Sequence, residues 1–182
     1  MSETIQRGNT QFTQYLSAAE IQITVDQLAE RIRNDYQGKT ILLVGVLKGA
    51  CVFMSDLMRA LKCDIEIDFV RLSSYGKEQT SNGTVTLLKD ISRDIRGKHV
   101  LIVEEIIDSG RSLKFLKDRL LHSEPASLEI VTLLDKAEKR IVEVDVKYVG
   151  RRVEDQFLIG YGLDLEEHDR NLSAVYRMAF PN

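Results

Sequence analysis

The chain has few of the residues that mark specialised protein classes. Its 182 residues include 2 Pro, 2 Cys, 3 His and no Trp. Two prolines rule out a collagen-like or proline-rich extended chain. Cys51 and Cys63 lie in apolar stretches, lack CxxC spacing and have no clustered His, so neither a zinc site nor a disulfide framework is indicated. A reducing, cytoplasmic compartment is the expectation. No run approaches the roughly 18–20 apolar residues of a membrane helix, and residues 1–10 are polar without an apolar h-region, so neither export nor insertion is expected. Charge of one sign is also lacking. With 25 basic and 28 acidic residues the net charge is −3, which produces no field to gather nucleic acid or an anionic membrane.

What is present is ordinary: 43% hydrophobic and 29% charged residues, enough for one sizeable core in a single domain over residues 1–182. Ser17 followed by Glu20 reads as a capping box, and Ile21, Val25, Leu28 and Ile32 recur at helical spacing up to Gly38. Residues 41–47 (ILLVGVL) read as a buried strand, and 50–61 as a helix through Phe53, Leu57 and Leu61. Alternation over 64–72 predicts a half-buried strand, and 73–84 (SSYGKEQTSNGT) a long polar loop. A second strand–helix pair follows at 99–104 and 112–121, with further short strands at 128–134, 142–149 and 157–159. This order predicts an α/β fold. Its mostly parallel central sheet is flanked by helices, and the terminal segments form a small hood over one end.

In such sheets ligands collect at the carboxyl ends of the strands, where helix N-termini offer unpaired N–H groups. Residues 103–112 (VEEIIDSGRS) place Glu104 and Glu105 at a strand end, then Asp108 in a loop of small and hydroxylated residues that opens a helix. Gly110 permits close backbone approach, Ser109 and Ser112 add hydroxyls, and the loop amides suit a phosphate. The two glutamates suit sugar hydroxyls or a divalent metal. A solvated acidic turn capping the helix is the plain alternative. Gly38, Lys39 and Thr40 end like a Walker A loop, but position 33 is Arg and the triplet precedes its strand, so that motif is excluded. No GxGxxG is present. Lys48 and Gly49, at the end of the first buried strand, offer a cation and an unhindered amide.

Residues 100–113 (VLIVEEIIDSGRSL) resemble the 5-phosphoribosyl-1-diphosphate motif of the type I phosphoribosyltransferases, in their hypoxanthine-guanine branch. Four further blocks carry the resemblance across nearly the whole chain: 44–53 (VGVLKGACVF), 68–76 (DFVRLSSYG), 133–136 (LLDK) and 156–172 (QFLIGYGLDLEEHDRNL). It implies transfer of a phosphoribosyl group to hypoxanthine or guanine, with Mg²⁺ as cofactor. Asp108 is then the general acid/base. Lys48, Gly49, Glu104, Glu105, Asp108, Ser109, Gly110, Arg111, Ser112 and Arg170 bind the activated sugar, and the peptide before Lys48 is cis. Lys136, Phe157, Leu158 and Asp164 read the purine, while Glu104, Glu105 and Asp164 hold metal. Ser74 and Tyr75 begin a lid. A homodimer or homotetramer is the implied assembly. His99, His122 and His168 match no functional position.

Two departures stand out. The family's Glu-Asp pair is Glu104-Glu105 here, and GRRVEDQ at 150–156 replaces an aromatic, proline-containing stretch. They leave open a nucleotide-sensing protein with weak catalysis and a xanthine-preferring enzyme.

Overall fold

The computed structural model describes residues 3–74 and 85–179. In chain order the elements are β1 (Thr4–Arg7), β2 (Thr10–Leu16), α1 (Ala18–Asp35), β3 (Ile41–Leu47), α2 (Ala50–Leu61), β4 (Ile65–Ser74) and β5 (Val85–Lys89). Then come β6 (His99–Ile107), α3 (Arg111–Leu121), β7 (Ser127–Asp135), β8 (Tyr148–Arg152), β9 (Leu158–Ile159) and β10 (Val175–Met178), with a 3-10 turn at Ala137–Lys139. The capping box of α1 is formed: the Glu20 amide donates to Ser17 Oγ at 3.3 Å, and the Ser17 amide donates to Glu20 Oε2 at 2.9 Å. The helix closes at Tyr36, and Gly38 takes a left-handed φ of +70° in the turn into β3.

Six strands form the main sheet in the order β5-β4-β3-β6-β7-β8. β4, β3, β6, β7 and β8 are mutually parallel, and β5 runs antiparallel to β4. Their apolar runs are explained by burial on both faces. Leu43, Leu101 and Val103 pack with Ile21, Leu28, Ile32, Phe53 and Leu57 of α1 and α2. Leu42, Val44, Val100 and Ile102 pack on the other face with Leu113, Leu116 and Leu120 of α3. From β3 the chain builds outward to β4, then returns to β3's other edge with β6. The carboxyl ends of β3 and β6 therefore flank a topological switch point, where a crevice opens.

The hood is a second sheet, β1-β2-β10-β9, antiparallel throughout and centred on Phe12, Ile159, Ala174 and Tyr176. It sits directly on the main sheet's rim. A β-carbon on Gly162, which has φ +98°, would lie 2.2 Å from the Gly49 carbonyl oxygen, and Tyr161 Oη donates to Asp56 Oδ2 of α2 at 2.6 Å.

Several expectations need correction. Residues 142–147 form no strand; Val144 and Val146 turn inward onto the α3-side core, so their alternation buries one face without a ladder, and β8 starts only at Tyr148. The short strand expected at 157–159 lies in the hood, not the main sheet. Ser73 and Ser74 are not loop, because they pair with Thr86 and Val85. Cys51 and Cys63 are both exposed despite their apolar neighbours in sequence, since each lies on an outward position. Tyr75, the second residue of the expected lid, lies outside the described residues, and Ser74 ends β4.

Candidate active site

Parallel registration of β6 and β7 sets Ile107 beside Asp135, so the next residue of each strand, Asp108 and Lys136, meet across the rim. The Lys136 amide donates to the Ile107 carbonyl at 3.0 Å, and its ammonium lies 3.3 Å from Asp108 Oδ1. Lys136 is only 6% exposed. It stands in a charged run that by itself reads as a solvated turn; here its stem is packed and its charge is paired, as a buried ammonium requires. The turn bearing Asp108 is held from beneath. The Ile141 and Val142 amides both donate to the Ser109 carbonyl at 3.0 Å, and a β-carbon on Gly110 would lie 2.5 Å from the Val142 carbonyl oxygen. Arg140 braces this segment by pairing with the buried Asp135.

Two hollows share the wall made by Ile106 and Asp108. One, of about 280 Å³, is lined by Glu104, Ser109, Gly110 and Ser112 at the head of α3, whose Gly110 cap has φ +80° and no side-chain capping bond. The other, of about 470 Å³, is lined by Lys136, Lys139, Asp155, Phe157, Leu158 and Leu163. Phe157 is 46% exposed, with the Phe12 ring 6.4 Å away, so it is not the core residue that its apolar run would suggest. A hollow of about 600 Å³ at the opposite end of the sheet, beside Arg33, Tyr36 and Lys39, has greater volume. It lies at the amino ends of the strands, away from the crevice, so volume alone does not mark the site.

The other half of the crevice belongs to β3 and the hood. The Leu47–Lys48 peptide is cis. Lys48 Nζ lies 2.7 Å from Glu167 Oε2, and Arg170 contacts Asp164 Oδ1 at 2.8 Å, Glu167 Oε2 at 3.4 Å and the Gly162 carbonyl at 2.8 Å. Arg170 Nε is closed off without a partner among the described residues. Lys48, foremost, then Arg170, holds the Glu167 carboxyl below its ordinary range. Gly49 caps α2 without a side-chain bond, and the Glu105 carboxylate lies over it.

Glu104 and Glu105 each bury one carboxylate oxygen, Oε2, without a partner among the described residues. Burial, then the neighbouring Glu105 charge, pushes the Glu104 carboxyl well up; burial also pushes Glu105 up to about 7 against the pull of Arg170. Two partnerless carboxylate oxygens are the donor set a hard divalent cation takes. No group of three or more His, Cys, Asp or Glu is placed to hold a metal among the described residues. Mg²⁺ itself takes one or two carboxylates and completes its shell with phosphate oxygens and water.

Eight of the expected residues line the two neighbouring hollows. Glu104, Asp108, Ser109, Gly110 and Ser112 line the smaller hollow, and Lys136, Phe157 and Leu158 the larger. Asp164 is not in the lining of the larger hollow but stands with Arg170, and Arg111 opens α3 on the exposed side, lining neither hollow. Asp155, Lys139, Glu167 and Arg140 were not singled out by sequence. The one available signal was a carboxylate, Asp155, two residues before Phe157.

Residues 11–166 match the profile of the phosphoribosyl transferase domain family. The chain is 44% identical over 159 residues to the hypoxanthine-guanine phosphoribosyltransferase of Streptococcus mutans, covering 87% of this chain and 88% of that one. It is 44% identical over 163 residues to the hypoxanthine phosphoribosyltransferase of Haemophilus influenzae, covering 88% and 91%. Its fold is similar to a crystal structure of a hypoxanthine-guanine phosphoribosyltransferase from Bacillus anthracis, with a TM-score of 0.87, 44% identity and coverage of 91% and 98%.

Proposed function

Because the chain belongs to the phosphoribosyl transferase family, we propose that it transfers the phosphoribosyl group of 5-phosphoribosyl-1-diphosphate to N9 of hypoxanthine or guanine, releasing IMP or GMP and diphosphate. The observation that carries this reading is the contact of Asp108 with the buried Lys136 on the wall between two hollows, one suited to a phosphate and one to a planar base.

The bond from the anomeric carbon to diphosphate oxygen breaks, and the bond from that carbon to N9 forms. Positive charge develops on the ribose ring and negative charge on the leaving group, so groups that meet those charges accelerate the step. Amides of the loop that opens α3 hold the 5′-phosphate. Lys48, the Gly49 amide and Arg170 receive the diphosphate, for which Lys48 and Arg170 exchange their present carboxylate partners. Asp108 takes the proton that leaves purine N7 as N9 attacks. Lys136 donates to the 6-oxo group, Phe157 stacks on the purine and Leu158 offers main-chain groups to its edge. Glu104 and Glu105, with Asp164 nearby, would hold Mg²⁺. When bound, the ion supplies charge neutralisation for diphosphate.

The whole chain works as one phosphoribosyltransferase domain, the contact of Gly162 with Gly49 joining hood to sheet. No helix among the described residues is long and apolar enough to cross a membrane, and two free, exposed cysteines suit a reducing cytoplasm. A homodimer or homotetramer is the assembly to be read by light scattering. A coupled assay for diphosphate release, run with Mg²⁺ across a panel of nucleobases, tests the function. Turnover of hypoxanthine or guanine is the expected result; no turnover of any purine overturns it.

A further inference from the structure

Asp155 lies between β8 and β9, and Lys139 ends the 3-10 turn after β7. Neither belongs to the motifs that carry the family resemblance. Yet both complete a ring of alternating charges at the larger hollow. Lys136 Nζ lies 3.3 Å from Asp108 Oδ1 and 3.4 Å from Asp155 Oδ1. Lys139 Nζ lies 3.4 Å from Asp108 Oδ2 and 3.2 Å from Asp155 Oδ1. Each carboxylate therefore touches both ammonium groups.

The four members are not equivalent. The Lys136 side chain is 8% exposed, whereas those of Lys139, Asp108 and Asp155 are 42%, 49% and 52% exposed. A nearly buried ammonium needs a counter-charge, and its carboxylate partners among the described residues are Asp108 and Asp155. If Asp108 accepts a proton from the base during transfer, its charge is lost at the moment Lys136 must stay cationic against the 6-oxo group. Asp155 is then the carboxylate that remains. Lys139, foremost, holds the Asp155 carboxyl below its ordinary range, so that residue keeps its negative charge beside Lys136.

We propose that Asp155 and Lys139 are positioning residues for the base: Asp155 holds Lys136 at the end of the hollow that receives the 6-oxo group, and Lys139 ties the second oxygen of Asp108 to Asp155. This rests on the reading of Asp108 and Lys136 given under Proposed function. Without Asp155, Lys136 turns wholly to Asp108 and both are drawn away from the purine. The diphosphate-facing residues Lys48, Gly49 and Arg170 are outside the ring, so the sugar is bound as before.

Steady-state kinetics with hypoxanthine and 5-phosphoribosyl-1-diphosphate separate these roles in Asp155→Asn, Asp155→Glu, Lys139→Met and Lys139→Arg, with a thermal melt of each. Asp155→Asn raises KM for hypoxanthine about tenfold while KM for the activated sugar stays within about twofold, and Asp155→Glu recovers most of the loss. Lys139→Met lowers kcat by about three- to tenfold with an unchanged melting temperature, because an exposed ion pair adds little stability, and Lys139→Arg restores it. If Asp155→Asn fails to fold, Lys139→Met decides. An active wild type whose Asp155→Asn and Lys139→Met variants match it within twofold overturns this inference alone, as does an equal rise in both KM values. A wild type that turns over no purine overturns both this and the proposed function.

Discussion

The carboxylate of Glu105 closes over Gly49: a β-carbon at Gly49 would lie 1.5 Å from Glu105 Oε1 and 2.2 Å from its Cδ. Gly49 has an ordinary helical φ of −61°, so what a side chain would meet here is the end of Glu105 and not a backbone restriction. The longer side chain at position 105 thereby reaches across the switch-point crevice from β6 to the head of α2.

Because the Glu105 carboxylate can swing aside, Gly49→Ala should destabilise the protein by only about 1 kcal/mol, the low end of the cost of overpacking, and Glu105→Ala in the same chain should return most of that loss. Gly162→Ala is expected to cost more, about 2–5 kcal/mol. Its φ of +98° disfavours any side chain, and the neighbour at 2.2 Å is the Gly49 carbonyl oxygen, which cannot swing aside. Urea unfolding of the variants checks both. Strictly additive losses for Gly49→Ala and Glu105→Ala would remove the contact as the cause.

Phe157 offers a different balance. Its side chain is half out of the core, so Phe157→Ala should cost less than about 1 kcal/mol of stability. If its face stacks on the base as proposed, that contact is worth about 1–3 kcal/mol, and KM for hypoxanthine should rise about tenfold or more. A large fall in melting temperature with unchanged KM would assign the ring to packing instead.

The parts legible in sequence were those that local pattern decides. β3, β6 and β7 are continuous apolar runs because helices cover both faces, and α1 announces itself through Ser17 and Glu20. Asp108 was legible from its turn. Residues 142–147 misled because alternate valines touch the core whether or not a strand pairs beside them. β1, β2 and β10 were not individually readable, since their short segments acquire an inward face only when they meet around Phe12 and Tyr176. The burial of Lys136 was invisible for a related reason. Its partners Asp108 and Asp155 lie 28 and 19 residues away in sequence, and only the β6–β7 register brings the first of them to it.

The acidic pair makes stability depend on pH. Between about pH 4.5 and 7 the folded protein keeps a proton on Glu105 that the unfolded chain has released, because burial raises that carboxyl, and burial raises Glu104 in the same direction. Stability of the metal-free protein is therefore present at the acid end of this window and lost as pH rises through about 7, with about 3 kcal/mol attached to the Glu105 shift. Carboxylates held low, such as Glu66 by Lys98 and Arg93, act in the opposite sense, but only below about pH 4.5. Denaturant unfolding at pH 5.5 and 8 should show the less stable protein at pH 8, and Glu105→Gln should flatten the slope. Stability rising over that range would contradict the burial of this pair.

Asp108→Asn tests the chemistry most directly. The amide keeps the shape of the side chain and its place between the two hollows, and it can still face Lys136 through its carbonyl oxygen. It cannot take a proton. The effect should fall on kcat, by about 10²- to 10³-fold, the range for loss of a general base, while KM for the activated sugar moves little because the phosphate-facing loop amides are untouched. Lys136→Met should show the converse pattern, with KM for hypoxanthine rising by more than kcat falls. Equal losses in both variants for base and sugar would mean that the two residues hold the turn together and do not divide the work of proton transfer and base recognition.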